Sequence, residues 1–97
     1  MRTKYQGRSL AWVRIEMLQK SEPLMRSAFT MAKQYKDRLV KNPTPGMVCF
    51  FGDREPGDCG LYLGVGRVKM LDRDGYPRVR RLSEVPDTFI GAMYWPE

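Results

Sequence analysis

The sequence predicts an α+β domain: two N-terminal helices packed on a small antiparallel sheet of four or five strands. Three observations support this. Apolar residues recur at three- and four-residue spacing through the first forty or so positions, as on the buried stripe of a helix. Asn42-Pro43-Thr44-Pro45-Gly46 then breaks the chain, since neither proline can continue a helix. Beyond it the apolar period shifts toward two, in short runs punctuated by Gly, Pro and Asp. Helices followed by strands is the segregated α+β order. A chain of 97 residues is one domain, with 1–42 as its helical half and 43–97 as its β half.

Taken in order, Ser9 is placed to cap a first helix running to about Lys20, with Leu10, Val13, Met17 and Leu18 on its inner face. Ser21-Glu22-Pro23 reads as the cap and first turn of a second helix, where proline is at home. Leu24, Ala28, Met31, Tyr35 and Leu39 form its buried stripe, leaving Arg26, Lys33, Lys36 and Lys41 mostly to solvent. Met47–Phe51 is a short apolar strand, and Gly52-Asp53-Arg54-Glu55-Pro56-Gly57 a polar loop. Cys59–Val65 and Arg67–Leu71 are strands joined through Gly64-Val65-Gly66. Asp72-Arg73-Asp74-Gly75 turns the chain into Pro77–Leu82, Ser83–Pro86 is a short helical turn or loop, and Phe89–Trp95 closes the sheet.

Seventeen Lys+Arg against eleven Asp+Glu give a net charge of +6, which favours an anionic partner: nucleic acid, an acidic protein or an anionic membrane surface. The same charge also serves the solubility of a small domain. Only two cysteines occur, Cys49 and Cys59, too few for a structural zinc site and both in apolar runs, so buried free thiols in a reducing compartment are expected. No apolar stretch of signal-peptide or membrane-span character is found, so a cytoplasmic protein with no membrane span is expected. Asp72-x-Asp74-Gly75 begins like a calcium loop, but its twelfth position is Ser83 rather than Glu; it is a turn. Gly64-x-Gly66 has neither a third glycine nor a following helix, so no nucleotide site is expected. No metal or cofactor is called for.

Two separated stretches resemble the papain-like NlpC-type and CHAP-type cysteine hydrolases, especially small phage-encoded members. The first is Tyr5-Gln6-Gly7-Arg8-Ser9-Leu10-Ala11-Trp12-Val13-Arg14; the second runs from Pro45-Gly46-Met47-Val48 through Gly57-Asp58-Cys59-Gly60-Leu61-Tyr62-Leu63-Gly64 to Gly66-Arg67-Val68. Phe89-Ile90-Gly91-Ala92 is similar to the family's closing segment. The resemblance implies a papain-like core with a nucleophilic cysteine at the start of the first helix, a histidine at the start of the second motif, and a polar third residue. In this chain those positions hold Ser9 and Asp58, and the third falls near Met70 or Asp72.

The chain contains no histidine, so no imidazole base exists. A serine hydroxyl needs a stronger base than a carboxylate whose reference pKa is about 3.9. Cys49 and Cys59 have no imidazole partner either, and by strand alternation Cys59 points away from Asp58. A Ser9–Lys4 dyad would require Lys4 to be desolvated. The expectation is a pseudoenzyme, with Ser9, Asp58 and Asp72 as vestigial positions. It implies a phage protein that binds a host cytoplasmic protein with an acidic surface and perturbs host growth or wall synthesis. The expected binding residues are Arg67, Lys69, Arg78 and Arg80, four cations on one face of a hairpin, with Tyr62 and Tyr76; the groove around Ser9 and Asp58 is the other candidate. A basic nucleic-acid-binding module using the same 67–81 hairpin is the alternative. A cell-wall hydrolase with a rewired active site is the third.

Overall fold

A computed structural model describes residues 2–96. The chain is α+β, with two short helices and one five-stranded antiparallel sheet. The first helix, α1 (Ser9–Trp12), widens at once into a π-helical turn over Val13–Met17, closed by Leu18 N–H donating to the Val13 carbonyl at 2.9 Å. The second, α2 (Ala28–Gln34), runs into a 3₁₀ turn at Lys36–Arg38. The strands are β1 (Val48–Phe51), β2 (Asp58–Gly64), β3 (Arg67–Leu71), β4 (Pro77–Arg81) and β5 (Phe89–Met93), in the order β4-β3-β2-β1-β5. A 3₁₀ turn at Leu82–Glu84 stands where the sequence places a short helical turn.

β1 lies inside the sheet and all four of its residues are buried, so both faces of the sheet carry a core. Val48 and Phe50 face the helices, among Leu10, Val13, Ala28 and Met31. Cys49 and Phe51 face the other way, joining Val68, Met70 and Ala92 beneath Leu82, Val85 and Phe89. Both thiols are free and buried. Gly60 lies on β2 opposite Cys49 on one side and Met70 on the other. A Cβ there would come within 2.8 Å of the Lys69 carbonyl oxygen, Met70 Cβ and Val68 Cγ2, so only a glycine allows β3 this close.

The second helix starts later than Ser21-Glu22-Pro23 suggests. Its cap is Ser27, whose Oγ accepts the Thr30 N–H at 3.1 Å. Carbonyls that a helix from residue 21 would need are taken by remote side chains. The Arg14 guanidinium donates to the carbonyls of Lys20 (3.3 Å) and Ser21 (3.1 Å), and the Trp95 indole N–H donates to that of Glu22 at 2.7 Å. Leu24 is accordingly exposed rather than part of a buried stripe, while Ala28 and Met31 are buried as expected. The first helix also falls short of Lys20, and Ser9 makes no backbone cap: it is the first helical residue, and its hydroxyl turns to β2 instead.

Gly60→Ala should therefore cost about 1–3 kcal/mol, the range for forcing extra volume into a packed core. Urea denaturation checks it, and an unchanged midpoint would contradict the close β2–β3 approach.

Candidate functional site

The N-terminal arm positions Ser9. Thr3 donates its N–H (2.8 Å) and hydroxyl (3.0 Å) to the Gly75 carbonyl, and Gln6 Nε2 donates to the Arg73 carbonyl at 3.3 Å, tying the arm to the β3–β4 turn. Tyr5 is buried in the helix-side core. Ser9 thus begins α1 beside the opening of β2. Asp58 is placed from the other direction by Gly57, which has φ +67° and sits where a Cβ would meet Phe29 N at 3.0 Å and the Phe51 carbonyl oxygen at 3.1 Å. The Phe29 N–H donates to the Pro56 carbonyl at 3.0 Å, fastening this loop to the first turn of α2.

Ser9 and Asp58 consequently line one cavity of about 390 Å³, together with Met70, Asp72, Arg80 and Asp87. The two positions that the family resemblance pairs, and both candidates for the third, are brought to a single cleft. The Asp58 carboxylate accepts the Cys59 N–H at 2.8 Å and lies within hydrogen-bonding reach of Ser9. Burial pushes its carboxyl up from the ordinary value, and Asp87 adds to the rise; Ser9, the Cys59 N–H and Arg80 oppose it. The Ser9 hydroxyl also accepts from Cys59 Sγ at 3.7 Å. Burial pushes the Cys59 thiol far up, and Cys49 up to about 12, so neither thiol is a thiolate near neutral pH. Lys4 is exposed over the Tyr5 ring, its Nζ 5.5 Å from the centroid, and does not line the cleft.

Asp72 borders the cleft with its oxygens already engaged. Oδ1 accepts the N–H groups of Asp74 (3.0 Å) and Tyr76 (2.9 Å), and Oδ2 accepts Arg78 Nε at 3.0 Å. Its carboxyl is held below the ordinary range, by the Tyr76 N–H above all, so Asp72 organises the β3–β4 turn rather than orienting a base. Among the described residues, no three His, Cys, Asp or Glu side chains gather as a metal site.

The hairpin cations divide differently from the expectation of one shared face. The register pairs Arg67 with Arg81, Val68 with Arg80, Lys69 with Val79 and Met70 with Arg78. Directly opposed residues share a face, so Arg67 and Lys69 stand with Val79 and Arg81, while Arg78 and Arg80 stand with Val68 and Met70. Sequence reasoning took both strands as one alternating set, and the pairing offset is what separates them. Arg81 joins Arg67 and Lys69 on their face. Tyr62 is half-buried, and its hydroxyl accepts the Gly66 N–H at 2.8 Å, bracing the β2–β3 hairpin tip. Tyr76 is exposed at the β3–β4 turn. No described helix is long and apolar enough to cross a membrane. Compared with protein-family models, curated proteins and solved structures, the chain matches none.

The two aspartates act oppositely on stability. Asp58, raised in the folded state, contributes stability that is complete below the ordinary value of 3.8 and is lost as pH rises through its folded value. Asp72, lowered, contributes stability that is present above 3.8 and is lost as pH falls through its folded value. Asp58→Asn should therefore gain stability over the parent at neutral pH, with the gain vanishing in acid. Asp72→Asn should lose stability at neutral pH and converge on the parent in acid. Thermal melts across pH check both signs.

Proposed function

We propose that this chain is a non-catalytic papain-like domain, of the NlpC-type and CHAP-type kind, that acts by binding a protein. The observation carrying this reading is the convergence of Ser9 and Asp58 on one cleft in a chain without histidine. In papain-like chemistry a thiolate attacks and an imidazole takes and returns the proton. Here a hydroxyl faces a carboxylate. A carboxylate is too weak a base to activate a serine near neutral pH, and Asp58 is further occupied by the Cys59 N–H. What remains is a concave surface with a mixed lining, including Arg80, Asp58 and Asp87, suited to an extended polypeptide.

On this reading the chain is a phage protein in the host cytoplasm. Its target is a host protein with an acidic surface, and its effect falls on host growth or cell-wall synthesis. The net charge of +6 supports the acidic partner. A second reading, nucleic-acid binding through the 67–81 hairpin, is favoured by the exposure of Arg67, Arg78, Arg80 and Arg81. The two differ in salt response, because phosphate contacts give a steep linear fall of log affinity with log salt, about −0.9 per phosphate for duplex DNA.

A tagged pull-down from bacterial lysate, with and without nuclease and at two salt concentrations, separates the readings. The protein-binding reading predicts a discrete partner retained after nuclease and moderate salt, and lost with Ser9→Trp while the domain stays folded. Nucleic acid recovered at low salt, with every protein lost on nuclease treatment, would overturn it.

A further inference from the structure

The two edges of the sheet are finished differently. At β5 the edge is closed by Val40 and Ala92, each donating its N–H to the other's carbonyl at 2.8 Å. At β4 no further strand follows among the described residues, and Arg78, Val79, Arg80 and Arg81 are all exposed. The groups that this edge presents follow from the ladder. The Asp72 N–H donates to the Tyr76 carbonyl (2.8 Å) and the Leu82 N–H to the Gly66 carbonyl (2.7 Å), marking hydrogen-bonded pairs at both ends of the β3–β4 hairpin. Alternation in an antiparallel pair then turns the backbone groups of Arg78 and Arg80 inward to β3, and those of Pro77, Val79 and Arg81 outward. Pro77 thus lacks an N–H only on the outer side, where β3 does not need one.

Charge sets the kind of strand this edge accepts. Arg67 and Arg81 are directly opposed on one face, a like-charge pair that is unfavourable until an anion lies between or beside them. Arg81 has Glu84 at 3.7 Å and Arg78 has Asp72 at 3.0 Å, both at the ends of β4. Arg80 lies between them on the strand, and Val79, 54% exposed, offers one apolar position. A second copy of β4 would set arginine against arginine, so self-pairing is disfavoured.

We infer that the β4 edge is a docking site for an acidic, extended segment of a partner protein, which adds to the sheet as a sixth strand. Its backbone would pair with the outward N–H and carbonyl of Val79 and the outward N–H of Arg81, whose carbonyl opens the 3₁₀ turn at Leu82–Glu84. Its side chains opposite Arg78, Val79, Arg80 and Arg81 would be acidic, apolar, acidic and acidic. A parallel strand therefore reads Glu-Val-Glu-Glu and an antiparallel one Glu-Glu-Val-Glu. The inference rests on the protein-binding reading but uses the β4 edge, which shares only Arg80 with the lining of the Ser9–Asp58 cleft.

The test uses two fluorescent peptides, each carrying a single copy of one pattern between neutral Ser-Thr flanks, titrated by anisotropy against the full chain, with N-methylated peptides of the same charge as controls. One orientation should bind saturably and lose about tenfold or more in affinity on N-methylation, the loss of one or two backbone hydrogen bonds. Arg81→Glu, outside the cleft lining, should lose a similar factor, with an unchanged circular dichroism spectrum, while Ser9→Trp leaves the affinity as it was. Equal binding of the N-methylated peptide would reduce the edge to undirected charge attraction and overturn the inference. So would no binding by either peptide, loss of binding with Ser9→Trp, or single-stranded DNA that binds more tightly and is weakened by the same Arg81→Glu. The Ser9→Trp arm also separates failure of the edge from failure of the cleft, since each variant addresses one surface.

Discussion

Burial of β1 on both faces is the constraint from which the rest of the molecule follows. A strand with Val48 and Phe50 under the helices and Cys49 and Phe51 under the 82–89 segment cannot lie at an edge or face water. It must have neighbours on both sides, which β2 and β5 supply. Fully burying side chains of this size is worth roughly 1.5–3 kcal/mol each. With β1 so held, β2 begins where α1 begins, and Ser9 meets Asp58 as a consequence of core packing rather than of any attraction between them. The cleft is thus a by-product of the fold, available for binding whether or not the chemistry survives.

On the proposed reading, the cleft keeps the geometry of a papain-like site without its reacting side chains. A hydroxyl beside a buried carboxylate lacks the group that would carry a proton between substrate and leaving group. The same burial that draws Asp58 upward also suppresses ionisation of Cys59, the one sulfur in contact with Ser9. Nothing in the pair stores a reactive anion. Its polar groups satisfy one another and the Cys59 N–H, while Arg80 and Asp87 complete the charged lining of the cavity.

Much of this was legible in the residues, and the limits have physical causes. The strands were readable because period-two runs between Gly, Pro and Asp punctuation have few alternative conformations, so β3 falls on the residues the pattern marks, Arg67–Leu71. The approach of Ser9 to Asp58 was readable only through the family resemblance, since nothing local to either residue announces a neighbour 49 positions away. The segment between the helices was misread because its conformation is set by donors distant in sequence, Arg14 and Trp95, which propensity at Ser21-Glu22-Pro23 cannot register. The division of the cations was missed for a related reason. A pairing offset of one residue exchanges the faces of a strand, and the Asp72-centred turn, not the pattern of Arg and Val, sets that offset. Tyr62 looked like a contact residue, yet its hydroxyl is committed to the Gly66 N–H.

The proposed reading is that the cleft has papain-like geometry and lacks only the reacting side chains. It is tested most directly by restoring them and measuring thiol reactivity. The double variant Ser9→Cys/Asp58→His should alkylate with iodoacetamide faster at mildly acidic pH than Ser9→Cys alone, because an adjacent imidazolium lowers a thiol pKa. The buried Cys49 and Cys59 stay unreactive in both and serve as internal references. Identical pH–rate profiles for the two variants would show that the positions do not form a nucleophile–base pair, and the account would fail.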